Sequence, residues 1–458
     1  MPMTLDLINP FDGSLVCSLE YDSASDVEDK LHASHQCQQN WKQVPIEQRI
    51  SIVEQGLERF RERSQETARE VTIQMGKPIT EARNEMATLF DRANYMLSIA
   101  QESLAAEVLP GKEGFHRRIE HEPLGVVLDL AAWNYPLIIP INVVVPALVA
   151  GNTVLLKHSA RTPLCGIAFQ EAFGNLEIPG LVTNLILGHS ETARLIADER
   201  IAHVAFTGSV TGGAAIHRET GKRFIDCGLE LGGNDPAYIA QDADLPLAIE
   251  NMVEGSCYNA GQSCCAVERV YVHESHLDEF VEGACRAMSI FEMGNPLDES
   301  TTLGPLIGSS SLDHLETQIQ DAIKRGAAVI TGGKRVSGEE SNFFPPTLIV
   351  GAPNDSLVMQ EESFGPILPV LAVADDEEAL EKMNDNRYGL TASIWTRDRE
   401  RAEHFARHLE TGTVFLNRCD YLDPALPWTG TGDSGRGTTL SRHGYAHLTR
   451  PKAIHFRL

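Results

Sequence analysis

Val53, Leu57 and Phe60 recur at intervals of four and three with charged residues between them, which puts one apolar face on a helix. The surrounding region, from about residue 26 to 104, reads as helical throughout. From Gly125 the period changes. Short β-branched runs at 126–130, 153–156, 182–187, 203–206 and 223–225 alternate with predicted helices at 137–150, 163–173 and 211–220. Such alternation predicts a parallel sheet covered on both faces. After Glu230 a second series follows, with strands expected at 269–272, 328–330, 348–350, 367–373, 391–395 and 413–416. Two successive series predict an α/β protein of two doubly wound domains with a cleft between them. A chain of 458 residues is too long for one core and agrees with that division.

The most apolar stretch, 137–150, carries Asn142 and two prolines and is shorter than the roughly 18–20 residues a membrane helix needs. No membrane partner is expected, and the N-terminal residues do not read as a secretory signal, so a cytoplasmic location is expected. The formal charge of −26, from 38 Lys and Arg against 64 Asp and Glu, argues against nucleic acid as a partner. Nine scattered cysteines without a C-x-x-C pair give no disulfide framework, and most read as small buried hydrophobes.

One cysteine stands apart. Asn259-Ala260-Gly261-Gln262-Ser263-Cys264-Cys265 is a polar, glycine-containing loop, and a loop thiol can be exposed enough to react. Glu230, between Leu229 and Leu231, is a candidate for a raised pKa and for general-base work. In Ala131-Ala132-Trp133-Asn134-Tyr135-Pro136, after a predicted strand, Asn134 can act as a helix cap or donate to an oxyanion. Phe206-Thr207-Gly208-Ser209 leads from strand to helix, where glycine backbone and a helix N-terminus suit a pyrophosphate. Lys157 ends the run 153–156, at the carboxyl edge where α/β sheets bind ligands.

Taken in order, Trp133-Asn134-Tyr135-Pro136, Gly151-Asn152-Thr153 with Lys157, Phe206-Thr207-Gly208-Ser209, Leu229-Glu230-Leu231-Gly232-Gly233, Gly261-Gln262-Ser263-Cys264 and Glu362-Ser363-Phe364-Gly365-Pro366 resemble the aldehyde dehydrogenase superfamily over nearly the whole chain, and its shorter succinate-semialdehyde members in particular. The resemblance implies two Rossmann-like domains with a small β oligomerisation element. Residues 1–102 and 122–229 would bind the dinucleotide, 230–435 would be catalytic, and 103–121 with 436–458 would join copies into a homodimer or homotetramer. It implies that an aldehyde is oxidised with NAD or NADP through a thioester on Cys264, with Asn134 on the oxyanion and Glu230 activating water. It also implies that Trp133, Lys157, Ser159, Gly208, Ser209, Gly232, Glu362 and Phe364 contact the cofactor. No metal is implied. The presence of Glu230 argues against a coenzyme-A-acylating relative, and a cysteine hydrolase would need a histidine partner that no motif supplies.

The chain departs from the family at several positions. Lys157-His158-Ser159-Ala160 lacks a usual glutamate that repels a 2′-phosphate, so NADP is expected alongside NAD, with Lys157 or His158 meeting the phosphate. Asn142 and Val143 replace an aromatic residue and a lysine, which makes the substrate tunnel less aromatic. Arg418 can bind a carboxylate, although a surface role is the better expectation. Cys265 reads as a bystander, and His443 with His447 lack a third ligand.

Overall fold

The structure is a computed structural model, and it describes residues 4–174, 176–337 and 341–458. An N-terminal hairpin, Thr4–Ile8 with Leu15–Glu20, precedes four helices: Ala24–Trp41, Ile46–Glu62, Ser64–Met75 and Ile79–Ser103. Val53, Leu57 and Phe60 are all buried, as their spacing requires. They join the large core beneath the first sheet, which includes the apolar helix Ile138–Ala150 and the aromatic pair Phe60–Phe169.

The first sheet runs in the order Gly435–Arg436, Asp226–Glu230, Ile201–Thr207, Val126–Leu130, Thr153–Lys157, Val182–Asn184. All neighbours are parallel except the returning Gly435–Arg436, which pairs antiparallel with Glu230 and Leu229. From Val126–Leu130 the chain winds outward one way through Thr153–Lys157 and the other way through Ile201–Thr207. The crevice at that reversal lies outside the carboxyl ends of the strands, where open sheets bind ligands. Lys157, Thr207 and Glu230 are each the last residue of a strand, and Trp133 and Asn134 follow closely on Leu130.

The second sheet has seven strands, ordered Ala328–Thr331, Thr347–Val350, Ile367–Val373, Val267–His273, Asp235–Ile239, Thr391–Trp395, Thr413–Leu416. Only Ala328–Thr331 is antiparallel. A third sheet pairs the C-terminal strand Thr449–Arg457 with Phe115–Pro123, which also holds Glu107–Val108. The C-terminal strand is therefore hydrogen-bonded within its own chain and lies at the edge of its sheet. Among the described residues no helix is long and apolar enough to cross a membrane.

Three local expectations are corrected, and one strand, Asp235–Ile239, was not anticipated. Residues 223–225 are not a strand, because Arg223 spends its guanidinium on the carbonyls of Ile196 (2.9 Å) and Asp198 (2.6 Å) and holds a turn. The strand starts at Asp226 and so ends on Glu230. The run 182–187 is extended only over Val182–Asn184, since Asp22 takes the Ile186 N–H at 2.9 Å. The helix from Pro163 gives way after Phe169 to a π-helical turn, Gln170–Gly174. The strand Asp235–Ile239, central in the second sheet, sits behind Asn234-Asp235-Pro236, a sequence with the chemistry of a turn. There Pro236 occupies the second strand position, and Asp235 is fixed by the Thr391 N–H (3.2 Å) and hydroxyl (2.6 Å).

Candidate active site

Two cavities meet between the sheets. One, of about 380 Å³, is lined by Trp133, Asn134, Lys157, Ser159, Gly208, Ser209, Glu230, Gly232, Cys264, Glu362 and Phe364, so every residue that the resemblance implies for catalysis or cofactor contact borders it. The other, of about 340 Å³, opens on the opposite side of Cys264. Cys264, Glu230 and Thr207 line both. A group bound in either cavity therefore reaches the same thiol and the same carboxylate.

The Cys264 loop is built from unusual backbone. Asn259, Ala260 and Gly261 adopt successive positive φ values of 53°, 54° and 70°. Such a run costs free energy and persists only where its surroundings fix it. Here the Asn259 N–H donates to Glu81 (2.9 Å), while its side-chain amide donates to the carbonyls of Asn134 (3.1 Å) and Gln262 (3.0 Å). Gln262 returns a bond to the Asn259 carbonyl (3.2 Å) and accepts from the Ile307 N–H (2.9 Å). Gly261 is required, because a Cβ there would stand 2.3 Å from the Gly365 carbonyl group. Cys264 is partly exposed, whereas Cys37, Cys165, Cys227, Cys257 and Cys265 are buried.

Asn134 is not the cap of the following helix. That helix starts at Ile138, and the N–H groups of Leu137 (2.8 Å) and Ile138 (3.3 Å) donate instead to Glu85, on the helix Ile79–Ser103. Glu85 in turn pairs with Lys77, and both side chains are buried. Lys77 also donates to the Asn134 carbonyl at 2.9 Å. The backbone of Asn134 is thus clamped by Lys77 and Asn259, and its side chain makes no hydrogen bond to the described residues. That leaves the amide available to a ligand in the cleft it borders.

Glu230 accepts from the hydroxyls of Thr439 (2.6 Å) and Thr207 (3.2 Å). Burial pushes its pKa above the usual carboxylate range, and the two hydroxyls, with the Arg92 guanidinium, pull the other way. Across the cleft, Glu362 accepts from the Gly233 N–H at 3.1 Å, and a Cβ on Gly232 would collide with the Glu362 carboxylate. Phe364 meets Trp133 edge-on at 5.5 Å. The Phe364 segment is held by Glu268, which accepts the N–H groups of Ser363 (2.8 Å) and Phe364 (2.9 Å) and is pushed up to about 7 by burial. Ser209 caps the helix Val210–Thr220 by accepting from Gly212 at 3.2 Å. Lys157 makes no ion pair among the described residues, and burial lowers its pKa.

One cation expectation changes, that of His158, while Arg418 is exposed as expected. His158 is buried and fully engaged: Nε2 bonds the Pro136 carbonyl (2.9 Å), while Nδ1 accepts from the Ser159 N–H (3.0 Å) and faces the Thr162 hydroxyl (2.9 Å). Burial drops it to about 4, so it is neutral, and it does not border the 380 Å³ cavity, whereas Lys157 does. Arg418 is exposed at the rim of the 340 Å³ cavity and stacks 3.3 Å over the Tyr421 ring. His443 is exposed, while His447 packs edge-on against buried His203, so the two do not converge. Cys265 donates to Asp420 at 3.0 Å, and its contact with Cys264 together with burial raises its own pKa well above the usual thiol range.

Sequence reasoning missed the contribution of the helix Ile79–Ser103. Glu81, Glu85, Thr88 and Arg92 follow one another at spacings of four, three and four, a polar stripe on one face. Leu89 and Met96 share that side of the helix, and the readable signal was charged residues at helical spacing on an otherwise apolar face.

The aldehyde dehydrogenase family model matches residues 2–454. The chain is 34% identical over 448 residues to the NADP(+) succinate-semialdehyde dehydrogenase of Deinococcus radiodurans, covering 98% of this chain and 94% of that protein. It is 32% identical over 456 residues to the lactaldehyde dehydrogenase of Escherichia coli, covering 99% and 95%. The structure matches that of succinic semialdehyde dehydrogenase from Streptococcus pyogenes in complex with NADP+ with a TM-score of 0.95, at 30% identity, covering 99% of this chain and all of that one.

Proposed function

The chain belongs to the aldehyde dehydrogenase family, and we propose that it oxidises an aldehyde to the carboxylic acid with NAD or NADP through a thioester on Cys264 that Glu230 helps to hydrolyse. The observation that carries this reading is the position of Cys264 and Glu230 at the junction of two cavities, one for each reactant. The residues of the larger cavity fit a dinucleotide. The unpaired Lys157 suits ribose or a 2′-phosphate, the N-terminus of Val210–Thr220 with Gly208 and Ser209 suits a pyrophosphate, and Glu362 suits ribose hydroxyls. When bound, the nicotinamide supplies the hydride acceptor.

The protein's own groups perform the rest. The Cys264 sulfur attacks the aldehyde carbon, and the negative charge that develops on oxygen is met by the Asn134 amide and the Cys264 N–H. Lys77 and Asn259 fix the Asn134 backbone beforehand, so little reorganisation is needed at the moment of attack. Once the thioester has formed, Glu230 takes a proton from water as that water attacks the acyl carbon, and Cys264 is released as thiolate. A carboxylate raised by burial and held by two hydroxyls is suited to that transfer near neutral pH. No histidine hydrogen-bonds Cys264 among the described residues, which leaves a cysteine-hydrolase reading without its base.

Residues 1–102 with 122–229 serve as the cofactor-binding domain and 230–435 as the catalytic domain in this proposal. Residues 103–121 with 436–458, whose strand Thr449–Arg457 lies at a sheet edge, join copies into a homodimer or homotetramer. The test is reduced-nicotinamide absorbance with an aldehyde panel, NAD and NADP, for wild type and Cys264→Ala. Turnover that the substitution abolishes is expected; turnover that survives it rules out Cys264 as the nucleophile.

A further inference from the structure

The 340 Å³ cavity beside Cys264 is lined by the carboxyl groups of Glu85, Glu230, Glu254 and Asp420 and by the guanidinium groups of Arg92 and Arg418. Arg92 is only 5% exposed, and among the described residues it makes no ion pair. Its one hydrogen bond among the described residues is a long contact from Nη1 to the Asn142 side-chain oxygen, at 3.5 Å. Its Nε is buried with no acceptor. A guanidinium offers five N–H donors, and leaving them unmet in a buried place costs free energy that a folded protein normally avoids. Arg92 therefore stands ready for an acceptor that the polypeptide does not provide.

The neighbouring acids do not fill that role. Glu85 is committed to Lys77 and to the N–H groups of Leu137 and Ile138. Asp420 accepts from Cys265 and is pushed up to about 6 by burial. Glu254 is exposed at the rim, as is Arg418. Glu230 is bound by Thr207 and Thr439. Of the two guanidinium groups that line this cavity, Arg92 is thus the buried one, with Asn142 beside it and no carboxylate paired with it among the described residues.

We propose that Arg92 is the anchor for a carboxylate carried by the substrate, so that the aldehyde taken by this site is an anionic one with a carboxylate away from the reacting carbon. This rests on the reading of Cys264 as the nucleophile. Arginine suits the task because its planar fork meets carboxylate oxygens directionally and stays charged when desolvated. The same buried cation disfavours an aldehyde that carries a quaternary ammonium group.

The test compares kcat/KM of the full-length protein for malonate, succinate and glutarate semialdehydes, the methyl ester of each, and a trimethylammonio-aldehyde. The best acid is expected to exceed its own ester by about 10- to 100-fold, the range of a hydrogen-bonded charge. The cationic aldehyde is expected to be the poorest. In Arg92→Gln the acid-to-ester ratio is expected to fall toward one, with Arg92→Lys retaining part of it, after circular dichroism has shown that each variant folds. An unchanged ratio in Arg92→Gln overturns the proposal. Where that variant does not fold, the wild-type ranking decides, and a wild type that turns over ester as well as acid overturns it. Absence of turnover with every aldehyde and both nicotinamides refutes the Cys264 reading itself, an outcome distinct from turnover without charge preference.

Discussion

Replacing Thr439 by valine removes one hydroxyl and leaves a side chain of the same shape, so it isolates a single hydrogen bond to Glu230. That bond is the shorter of the two the carboxylate accepts, 2.6 Å against 3.2 Å from Thr207, and it is the largest influence opposing the effect of burial. A hydrogen bond to the ionised form lowers a carboxyl pKa, so its loss raises it further. A bond to a charged group contributes about 1.5–3 kcal/mol, and 1.4 kcal/mol is tenfold in an equilibrium. On the acid side of the profile the fraction of ionised Glu230 should therefore fall by about ten- to hundredfold. Thioester hydrolysis needs that ionised form, so kcat falls with it. At alkaline pH both enzymes are ionised and their rates converge. The assay is kcat against pH, with the pre-steady-state burst of reduced nicotinamide followed alongside. Attack by Cys264 does not use Glu230, so a burst should stand out before a slowed steady state. Thr439→Ser, which keeps the hydroxyl, should restore the acid limb. A profile lowered uniformly at all pH values, or an acid limb in the wild-type position, would refute the reasoning.

The Lys77–Glu85 pair supports both the fold and the Asn134 clamp. Glu85→Leu strands a buried ammonium and should cost about 3–5 kcal/mol in denaturant unfolding. The double change Lys77→Met with Glu85→Leu should recover much of that stability while kcat stays low, because the Asn134 carbonyl loses one of its two donors and keeps only the Asn259 amide; recovery of both would reduce the pair to a structural role. Lys157→Ala should raise the KM for NADP more than that for NAD, since Lys157 is the one residue of the Lys157-His158 pair that borders the cofactor cavity. Equal effects on the two coenzymes would remove Lys157 from 2′-phosphate recognition.

The strand that ends on Lys157, and the cleft it borders, were legible because the motif sits where an α/β sheet changes into a loop. Strand, glycine and helix then follow in a fixed local order. The errors fall where a tertiary contact overrides local chemistry. Arg223 reaches back to the carbonyls of Ile196 and Asp198 and turns an apparent strand into a loop. Asp235 and Pro236 look like a turn, yet the hydroxyl and N–H of Thr391, 156 residues away, hold them at the head of a central strand. His158 could not be excluded from the cofactor site until its ring was seen bonded to the Pro136 carbonyl. Arg92 was hidden differently. A helical wheel puts it among Leu89 and Met96, but which cavity that face meets depends on the packing of Ile79–Ser103 against Ile138–Ala150. Local sequence fixes periodicity and caps; it carries no record of which distant surface a face will meet.

The central claim, a thioester on Cys264 released by Glu230, is tested most directly with Glu230→Gln. Mixed with NAD or NADP and a turned-over aldehyde, this variant should give one equivalent of reduced nicotinamide per active site and then nearly stop. Intact-protein mass spectrometry should show the acyl group of that aldehyde added to the chain, mapped to the peptide bearing Cys264 and removable with hydroxylamine. Sustained turnover in Glu230→Gln, or a burst that leaves the chain unmodified, would contradict the account.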